Sequence, residues 1–193
     1  MIKAIIFDCF GVLTTDGWLP FKNKYFGSDQ LALDEITALN NKANVGDLSY
    51  GDFTSLVASK ANISQQSARE QIDKNVPNDE LFDYIKLLKK NYKIGLLSNI
   101  GADWLVKLFT SEQIALFDET SLSYDSGYTK PDSRAYKDIT NKLRVNPAEA
   151  VFVDDQEQNC KAAEAMSIQS ICYKNFEQMK SELEQILAAV SNN

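Results

Sequence analysis

The sequence predicts an α/β fold in which a doubly wound, mostly parallel sheet is interrupted by an all-helical segment. Two observations support this prediction: short apolar runs alternate with amphipathic helical patterns, and one long stretch near the N-terminus contains helical patterns only. The chain has 193 residues, of which 44% are hydrophobic and 24% charged, which suits one well-buried domain carrying a small insert.

Four short apolar runs are the candidate strands: residues 2–7, 94–97, 150–153 and 168–172. The runs are continuous rather than alternating, which is typical of parallel strands buried on both faces. Amphipathic helical patterns separate or follow them: one after Asn78, one over residues 132–143 and one over residues 176–190. Because strand–helix–strand crossovers are right-handed, this alternation predicts a Rossmann-like sheet with helices on both faces.

One region breaks the alternation, because residues 15–76 contain no convincing buried strand. It offers three helical segments instead: residues 30–43, 49–60 and 64–75. A helical insert directly after the first strand lies near the carboxyl edge of the sheet, where ligands bind in this class of fold. We therefore predict a Rossmann-like core of residues 1–14 and 77–193 and a helical cap of residues 15–76.

The composition excludes several kinds of chemistry and partner. The chain has no histidine, which removes Ser-His-Asp and Cys-His machinery and HExxH zinc sites. A net charge of −7 argues against nucleic acid or an anionic membrane surface as the main partner. Three scattered cysteines indicate free thiols, and no apolar stretch is long enough to cross a membrane, so we expect a cytoplasmic protein. Nothing requires an oligomer, and we expect a monomer or weak homodimer.

Polar side chains that can do chemistry follow the candidate strands or stand before a helix. Six of them form the candidate site: Asp8, Ser98, Asn99, Lys130, Asp154 and Asp155. Because the carboxyl ends of parallel strands meet at one edge of a sheet, we expect these side chains to lie together. Gly11 follows the first of them closely and allows the chain to turn sharply away.

These residue types indicate a hydrolytic site built on carboxylates. Asp8 can attack an electrophile and form a covalent intermediate. With Asp8, the Asp154 and Asp155 carboxylates make a hard oxygen site suited to Mg²⁺, which would also reduce the repulsion between an anionic nucleophile and a phosphoryl group. Lys130 supplies a positive charge that can steady the nucleophile. The Ser98–Asn99 pair offers neutral donors to a substrate oxygen.

Four segments together resemble the motifs of the haloacid dehalogenase superfamily of aspartate-nucleophile hydrolases, in the same order and at sensible spacing. They read IIFDCFGVL, IGLLSN, GYTKPD and AVFVDD, and NVGDLSYGDF in the helical region is similar to the usual pattern of that superfamily's small cap. The resemblance covers essentially the whole chain. It implies a Mg²⁺-dependent hydrolase acting on a small phosphorylated metabolite.

The resemblance also implies a role for the residues that match the motifs. Asp8 is then the nucleophile, Ser98 binds the phosphoryl group and Lys130 stabilises charge. Asp154 is a metal ligand, and Asp155 is a metal ligand or an acid beside it. A further match is the asparagine that follows the acidic pair, which orients the metal ligands from outside: Asn159.

One position departs from the phosphatases of this superfamily, which carry a general-acid aspartate two residues after the nucleophile. Phe10 stands there in this sequence. Losing a general acid costs roughly 10²–10⁴-fold in rate, so we expect weak turnover of substrates with poor leaving groups. The main-chain carbonyl of Phe10 remains a candidate metal ligand.

Phe10 also keeps two alternative functions open. An aromatic residue at this position is the pattern of the dehalogenase branch, in which a departing halide needs no proton. That branch works without metal and usually lacks the paired aspartates of the fourth motif. The alternatives are therefore C–halogen hydrolysis by Asp8, or a non-catalytic homologue that binds phosphate or a metal ion.

Overall fold

The computed structural model describes residues 1–101 and 104–191. Within these ranges, five parallel strands form one sheet in the order β3-β2-β1-β4-β5. The strands are β1 (Ala4–Phe7), β2 (Lys93–Ser98), β3 (Glu119–Leu122), β4 (Ala150–Asp154) and β5 (Gln169–Cys172). The predicted α/β fold with a parallel sheet is thereby confirmed.

Helices connect the strands and flank the sheet. In chain order they are α1 (Trp18–Phe26), α2 (Gln30–Asn44), α3 (Tyr50–Lys60), α4 (Gln65–Ile72), α5 (Asp79–Leu88), α6 (Leu105–Leu108), α7 (Ser111–Ile114), α8 (Ser123–Ser126), α9 (Ser133–Leu143), α10 (Glu157–Ala165) and α11 (Phe176–Ser191). A 3₁₀ turn (Pro147–Glu149) precedes β4. In the described part of the chain, no helix is both long and apolar enough to span a bilayer.

The sheet is buried on both faces, which explains why its strands are continuous apolar runs. In β1, Ile5 and Phe7 pack into a cluster with α5 and α11, whereas Ala4 and Ile6 pack into a second cluster with α9 and α10. Successive strand residues point to opposite faces, so a strand between two helical layers needs apolar residues at every position.

Among the elements that the sequence did not predict, β3 and α1 have a clear physical reason. β3 was missed because it reads Glu-Thr-Ser-Leu, with no apolar run. It lies at the edge of the sheet and pairs with β2 only, so a polar strand is tolerated there. α1 was also missed, since its apolar residues Phe21 and Phe26 become buried only when the neighbouring helices pack on them.

The helices α1–α4 form a compact helical insert between β1 and α5. They pack around their own apolar cluster, which consists of Phe21, Phe26, Ile36, Ala43, Phe53, Val57, Ala58, Ala68 and Ile72. The chain enters and leaves the insert through a paired neck, in which Thr14 bridges to Pro77 and the Thr15 amide donates to the Val76 carbonyl at 3.0 Å. That this insert is a separate cap with boundaries at residues 15 and 76 stays a prediction.

Candidate active site

Asp8, Lys130 and Asp154 form a buried ion cluster at the carboxyl edge of the sheet. The Lys130 Nζ lies 2.7 Å from Asp8 Oδ1 and 2.6 Å from Asp154 Oδ2. The two aspartates come together because β1 and β4 are neighbours, with Phe7 paired to Val153 directly before them. No member of the cluster is more than 5% exposed, so the lysine charge compensates two carboxylates that water hardly reaches.

Asn99 holds the loop that carries Lys130. Its side-chain oxygen accepts the Lys130 backbone N–H at 2.7 Å, and its amide nitrogen donates to the Lys130 carbonyl at 2.9 Å. This pair of bonds ties the end of β2 to the loop before α9, and thereby positions the ammonium group. Direct contact between Asn99 and a substrate stays a prediction.

Asp154 is held from the α10 side. The Asn159 amide nitrogen donates to both of its carboxylate oxygens, at 3.0 and 3.1 Å, and the Gln156 backbone N–H donates to Oδ1 at 2.8 Å. Asn159 is itself buried, with 2% of its surface exposed. These donors fix the orientation of the carboxylate before any ligand binds.

The acidic residues of this edge form a group that fits a divalent cation. Asp8, Asp154 and Asp155 each offer a carboxylate oxygen, and these oxygens lie within 4.8 Å of one another. Within the described ranges, the buried Oδ1 of Asp155 has no hydrogen-bond partner. A buried carboxylate oxygen without a donor is unfavourable, and a bound cation removes that cost. Mg²⁺ prefers such oxygen ligands.

Gly11 allows Asp155 to occupy its place. The backbone of Gly11 has a φ of +80°, and a Cβ atom added there would lie 2.5 Å from Asp155 Oδ2. Both the left-handed backbone and the missing side chain are therefore needed at this position. The turn after β1 is thus shaped around the acidic pair that follows β4.

Burial dominates the electrostatics of the site. It raises the pKa of Asp8 well above the usual range, an effect that Lys130 opposes and Asp154 increases. Burial and then Asp154 raise the pKa of Asp155 to about 6. Burial lowers the pKa of Lys130, but the two carboxylates outweigh it and the net pKa is raised. Three carboxylates therefore face one lysine, and a further cation would favour their ionised forms.

Ser98 and Phe10 complete the set of residues predicted from the sequence. Ser98 ends β2 and is 1% exposed, with its hydroxyl beside the Cys9 thiol. Contact between this hydroxyl and a ligand stays a prediction. The Phe10 side chain is partly buried against the main core and lines the space above Asp8. A role for its carbonyl as a metal ligand stays a prediction.

A cavity of about 640 Å³ separates the sheet edge from the helical insert. Its sheet side includes Asp8, Asn99, Lys130, Asp155 and Asn159. Its insert side is mostly neutral or aromatic and includes Trp18, Thr37, Asn40, Asn41, Tyr50 and Phe53. A ligand in this space contacts both walls at once.

Asp16, which was not among the residues predicted from the sequence, also lines this cavity. Its Oδ1 accepts the Trp18 backbone N–H at 2.8 Å at the start of α1, and burial raises its pKa. An acidic residue before a helix is a common capping residue, so the sequence alone did not distinguish it. The one sequence feature that could have indicated Asp16 is its position shortly after the motif that contains Asp8.

Direct contacts hold the helical insert against the sheet domain. The Tyr50 and Trp104 rings meet edge to face with centroids 4.5 Å apart. The Ser123 hydroxyl donates to the Asn44 carbonyl at 2.5 Å, and a Cβ atom on Gly101 would lie 2.3 Å from the Ala43 carbonyl oxygen. These contacts at the end of α2 close one side of the cavity.

Comparison with known proteins agrees with this architecture. The D-ribitol-5-phosphate phosphatase of Bacteroides thetaiotaomicron is 32% identical over 112 residues, which is 54% of this chain and 54% of that protein. The chain thus matches about half the length of this curated relative. A haloacid dehalogenase family enzyme of the same organism, solved with magnesium and inorganic phosphate, shares 26% identity and a TM-score of 0.68, covering 90% of this chain and 95% of that one.

A second solved structure supports the fold over nearly the whole chain. The predicted haloacid dehalogenase-like hydrolase from Porphyromonas gingivalis has a TM-score of 0.74 at 23% identity, covering 97% of this chain and 98% of that one. A model of the haloacid dehalogenase-like hydrolases matches residues 2–167, which is most of the sequence. The chain belongs to the haloacid dehalogenase-like hydrolase family.

Proposed function

We propose that this protein is a Mg²⁺-dependent phosphatase that hydrolyses a small phosphorylated metabolite through an aspartyl-phosphate on Asp8. The observation that carries the proposal is the buried Asp8–Lys130–Asp154 cluster beside the unpartnered Asp155 oxygen, within the described residues, at the floor of an open cavity. The names of two relatives support it, since one is a sugar-alcohol phosphate phosphatase and the other was solved with magnesium and phosphate.

The first step is attack by the Asp8 carboxylate on phosphorus. Lys130 and the backbone N–H of Cys9, which lies 2.6 Å from Asp8 Oδ1, hold the carboxylate in one orientation. The ammonium of Lys130 also favours the ionised, nucleophilic form of Asp8. Asn99 acts through Lys130, because it fixes the backbone on which the ammonium is carried.

The phosphoryl group is held by charge and by neutral donors. Asp8, Asp154, Asp155 and the Phe10 carbonyl would hold Mg²⁺, which when bound offsets the repulsion between the anionic nucleophile and the phosphoryl oxygens. The buried Ser98 hydroxyl donates to a phosphoryl oxygen, as transition-state stabilisation requires. Water then hydrolyses the aspartyl-phosphate and releases Asp8 for the next cycle.

Residues 15–76 act in this proposal as a cap that covers the cavity during the first step. Exclusion of bulk water protects the phosphoryl group until the leaving alcohol has departed, and reopening releases the products. Three free cysteines, two of them buried, and the net charge of −7 support a cytoplasmic enzyme of small-molecule metabolism. We expect it to act as a monomer or weak homodimer.

One assay panel tests the proposal against its alternatives. Phosphate release from acetyl phosphate and 4-nitrophenyl phosphate is measured with Mg²⁺ and with EDTA, and halide release from 2-haloacids is measured in parallel. We expect phosphate release that needs Mg²⁺ and no halide release. Phosphate release that survives chelation contradicts the role of the metal ion.

The other outcomes favour the other two functions. Halide release that is indifferent to EDTA would identify a C–halogen hydrolase, the alternative that the aromatic residue Phe10 favours. Release of neither phosphate nor halide, together with Mg²⁺ binding measured by calorimetry, would identify a non-catalytic homologue. Either result would overturn the proposal.

A further inference from the structure

A phosphatase that uses Asp8 needs a proton for the departing alcohol, and position 10 cannot supply one. The Phe10 side chain has no ionisable group, and the sequence contains no histidine. Asp8, Lys130 and Asp155 already have roles in the proposed function. Among the described residues, the other ionisable side chains that line the cavity are Asp16, Lys22, Tyr50 and Asp73.

Contacts within the helical insert occupy two of these four. The Tyr50 hydroxyl donates a hydrogen bond to Asp73 Oδ1, and burial raises the pKa of Tyr50 above its usual range. Tyr50 also packs on Trp104 at the contact between the insert and the sheet domain. The Tyr50–Asp73 pair therefore holds the insert together. Asp16 and Lys22 remain as candidate proton donors for the departing alcohol.

Asp16 has a fixed position on the wall of the cavity that Asp8 and Asp155 also line. After β1 the chain turns back on itself, because the amides of Leu13 and Thr14 both donate to the Cys9 carbonyl, at 2.8 and 3.0 Å. The Asp16 carboxyl is then held by the Trp18 backbone N–H. Asp16 and Asp155 line the same cavity, and the negative charge of Asp16 is one of the causes that raise the pKa of Asp155, after burial and Asp154.

We propose that Asp16 is the general acid and base of this enzyme, in place of an aspartate at position 10. As the Asp8 oxygen bonds to phosphorus and the phosphorus–oxygen bond to the alcohol breaks, the Asp16 carboxyl gives its proton to the departing oxygen. The Asp16 carboxylate then takes a proton from the water that attacks the aspartyl-phosphate, which restores both aspartates and yields phosphate.

Two features of Asp16 suit this role. The carboxyl faces the same cavity as Asp8 and is oriented by a backbone bond rather than by a mobile partner. Burial raises its pKa, which increases the fraction of protonated carboxyl available as an acid. The inference rests on the proposed function, and it replaces the expectation, drawn from Phe10 alone, that alkyl phosphates are poor substrates.

The test is the dependence of kcat/KM on the leaving group in Asp16→Asn. Asparagine keeps an oxygen that accepts the Trp18 N–H, so the start of α1 is preserved. With glycerol 3-phosphate, an alkyl ester, we expect kcat/KM to fall roughly 10²–10⁴-fold. With 4-nitrophenyl phosphate, whose leaving group needs no proton, we expect a fall below about fivefold.

Matched variants separate this role from others in the same cavity. Asp73→Asn and Lys22→Met each change another ionisable side chain of the cavity wall, and neither is expected to alter the ratio between the two substrates. An equal loss on both substrates in Asp16→Asn means that Asp16 only shapes the start of α1, and no loss means that it has no role. A substrate-dependent loss in Lys22→Met assigns the acid to Lys22 instead.

A second variant keeps the inference falsifiable if Asp16→Asn does not fold. In an otherwise unchanged chain, Phe10→Asp adds an acid where one is already supplied, so turnover of glycerol 3-phosphate should rise less than about threefold. A rise of about 10²-fold or more shows that the unmodified enzyme lacks an acid and overturns the inference. Absence of phosphate release from every ester by the unmodified enzyme is a failure of the proposed function instead.

Discussion

The two walls of the cavity differ in both composition and rigidity. The sheet wall is charged and cross-linked, with Lys130 bonded to two carboxylates at the carboxyl ends of adjacent strands. The insert wall is mostly neutral or aromatic, with Asp16, Lys22 and Asp73 as its charged residues, and it joins the sheet domain through a narrow paired neck. We therefore expect the sheet wall to hold the nucleophile and the cation, and the insert wall to contact the leaving group and the rest of the substrate.

The sheet wall is rigid because its residues belong to the most buried part of the molecule. Asp8 and Asp154 continue strands whose residues are all buried, and each makes hydrogen bonds that leave little freedom of rotation. The insert wall has its own core, so its residues can change with little effect on the sheet. Substitutions on the two walls should therefore affect different kinetic constants, and the following four experiments test this.

The largest effect is expected from Asp8→Asn, which removes the nucleophile. Phosphate release should fall about 10⁴-fold or more, because the amide cannot form the covalent intermediate. Mass spectrometry of the acid-quenched protein should show the aspartyl-phosphate in the unmodified chain only. Asp125→Asn, which changes an exposed aspartate on α8, is the control. Residual turnover within about tenfold of normal would contradict the role of Asp8.

Lys130→Met should affect both activity and stability. It leaves Asp8 and Asp154 buried without their shared cation, and breaking such an arrangement costs about 3–5 kcal/mol in the free energy of unfolding. The phosphoryl group also loses a positive charge, so we expect kcat to fall about 10³-fold. Urea denaturation in EDTA and steady-state kinetics measure the two effects. Unchanged stability would mean that the carboxylates do not depend on Lys130.

Gly11→Ala tests the contact between the first turn and the acidic pair. The new Cβ would lie 2.5 Å from Asp155 Oδ2, so the carboxylate must move, and we expect the Kd for Mg²⁺ to rise about 10–100-fold. Gly127→Ala is a matched control, because its φ is +74° and nothing lies within 4 Å of the added atom. Equal Mg²⁺ affinity in the two variants, measured by calorimetry, would show that Asp155 is not a ligand.

The smallest effect is expected on the insert wall, from Asn40→Ala. Losing one neutral hydrogen bond is worth about 1 kcal/mol, so KM for glycerol 3-phosphate, whose hydroxyl groups can reach this wall, should rise about fivefold. The kcat for acetyl phosphate, which is too small to use this wall, should stay within about twofold. Gln66→Ala on the exposed side of α4 is the control. A fall in kcat for both substrates would break the proposed division between the two walls.

Much of the fold was predictable because buried parallel strands have a distinct sequence pattern. The runs that form β1, β2, β4 and β5 are apolar at nearly every position. The polar residues at their carboxyl ends therefore stood out and predicted the site. β3 lacks this pattern, since an edge strand is covered on fewer sides and can be polar. α1 was not predicted because the burial of its apolar residues depends on three other helices.

The sequence by itself determined the α/β class, the positions of the acidic residues and the family, because these follow from local patterns and the order of motifs along the chain. Only the tertiary structure decided which atoms meet: that Asn99 holds the Lys130 loop, that Gly11 makes room for Asp155, and that Asp16 joins the cavity. The physical reason is that such contacts depend on how distant segments pack together, and no local pattern along the chain records that.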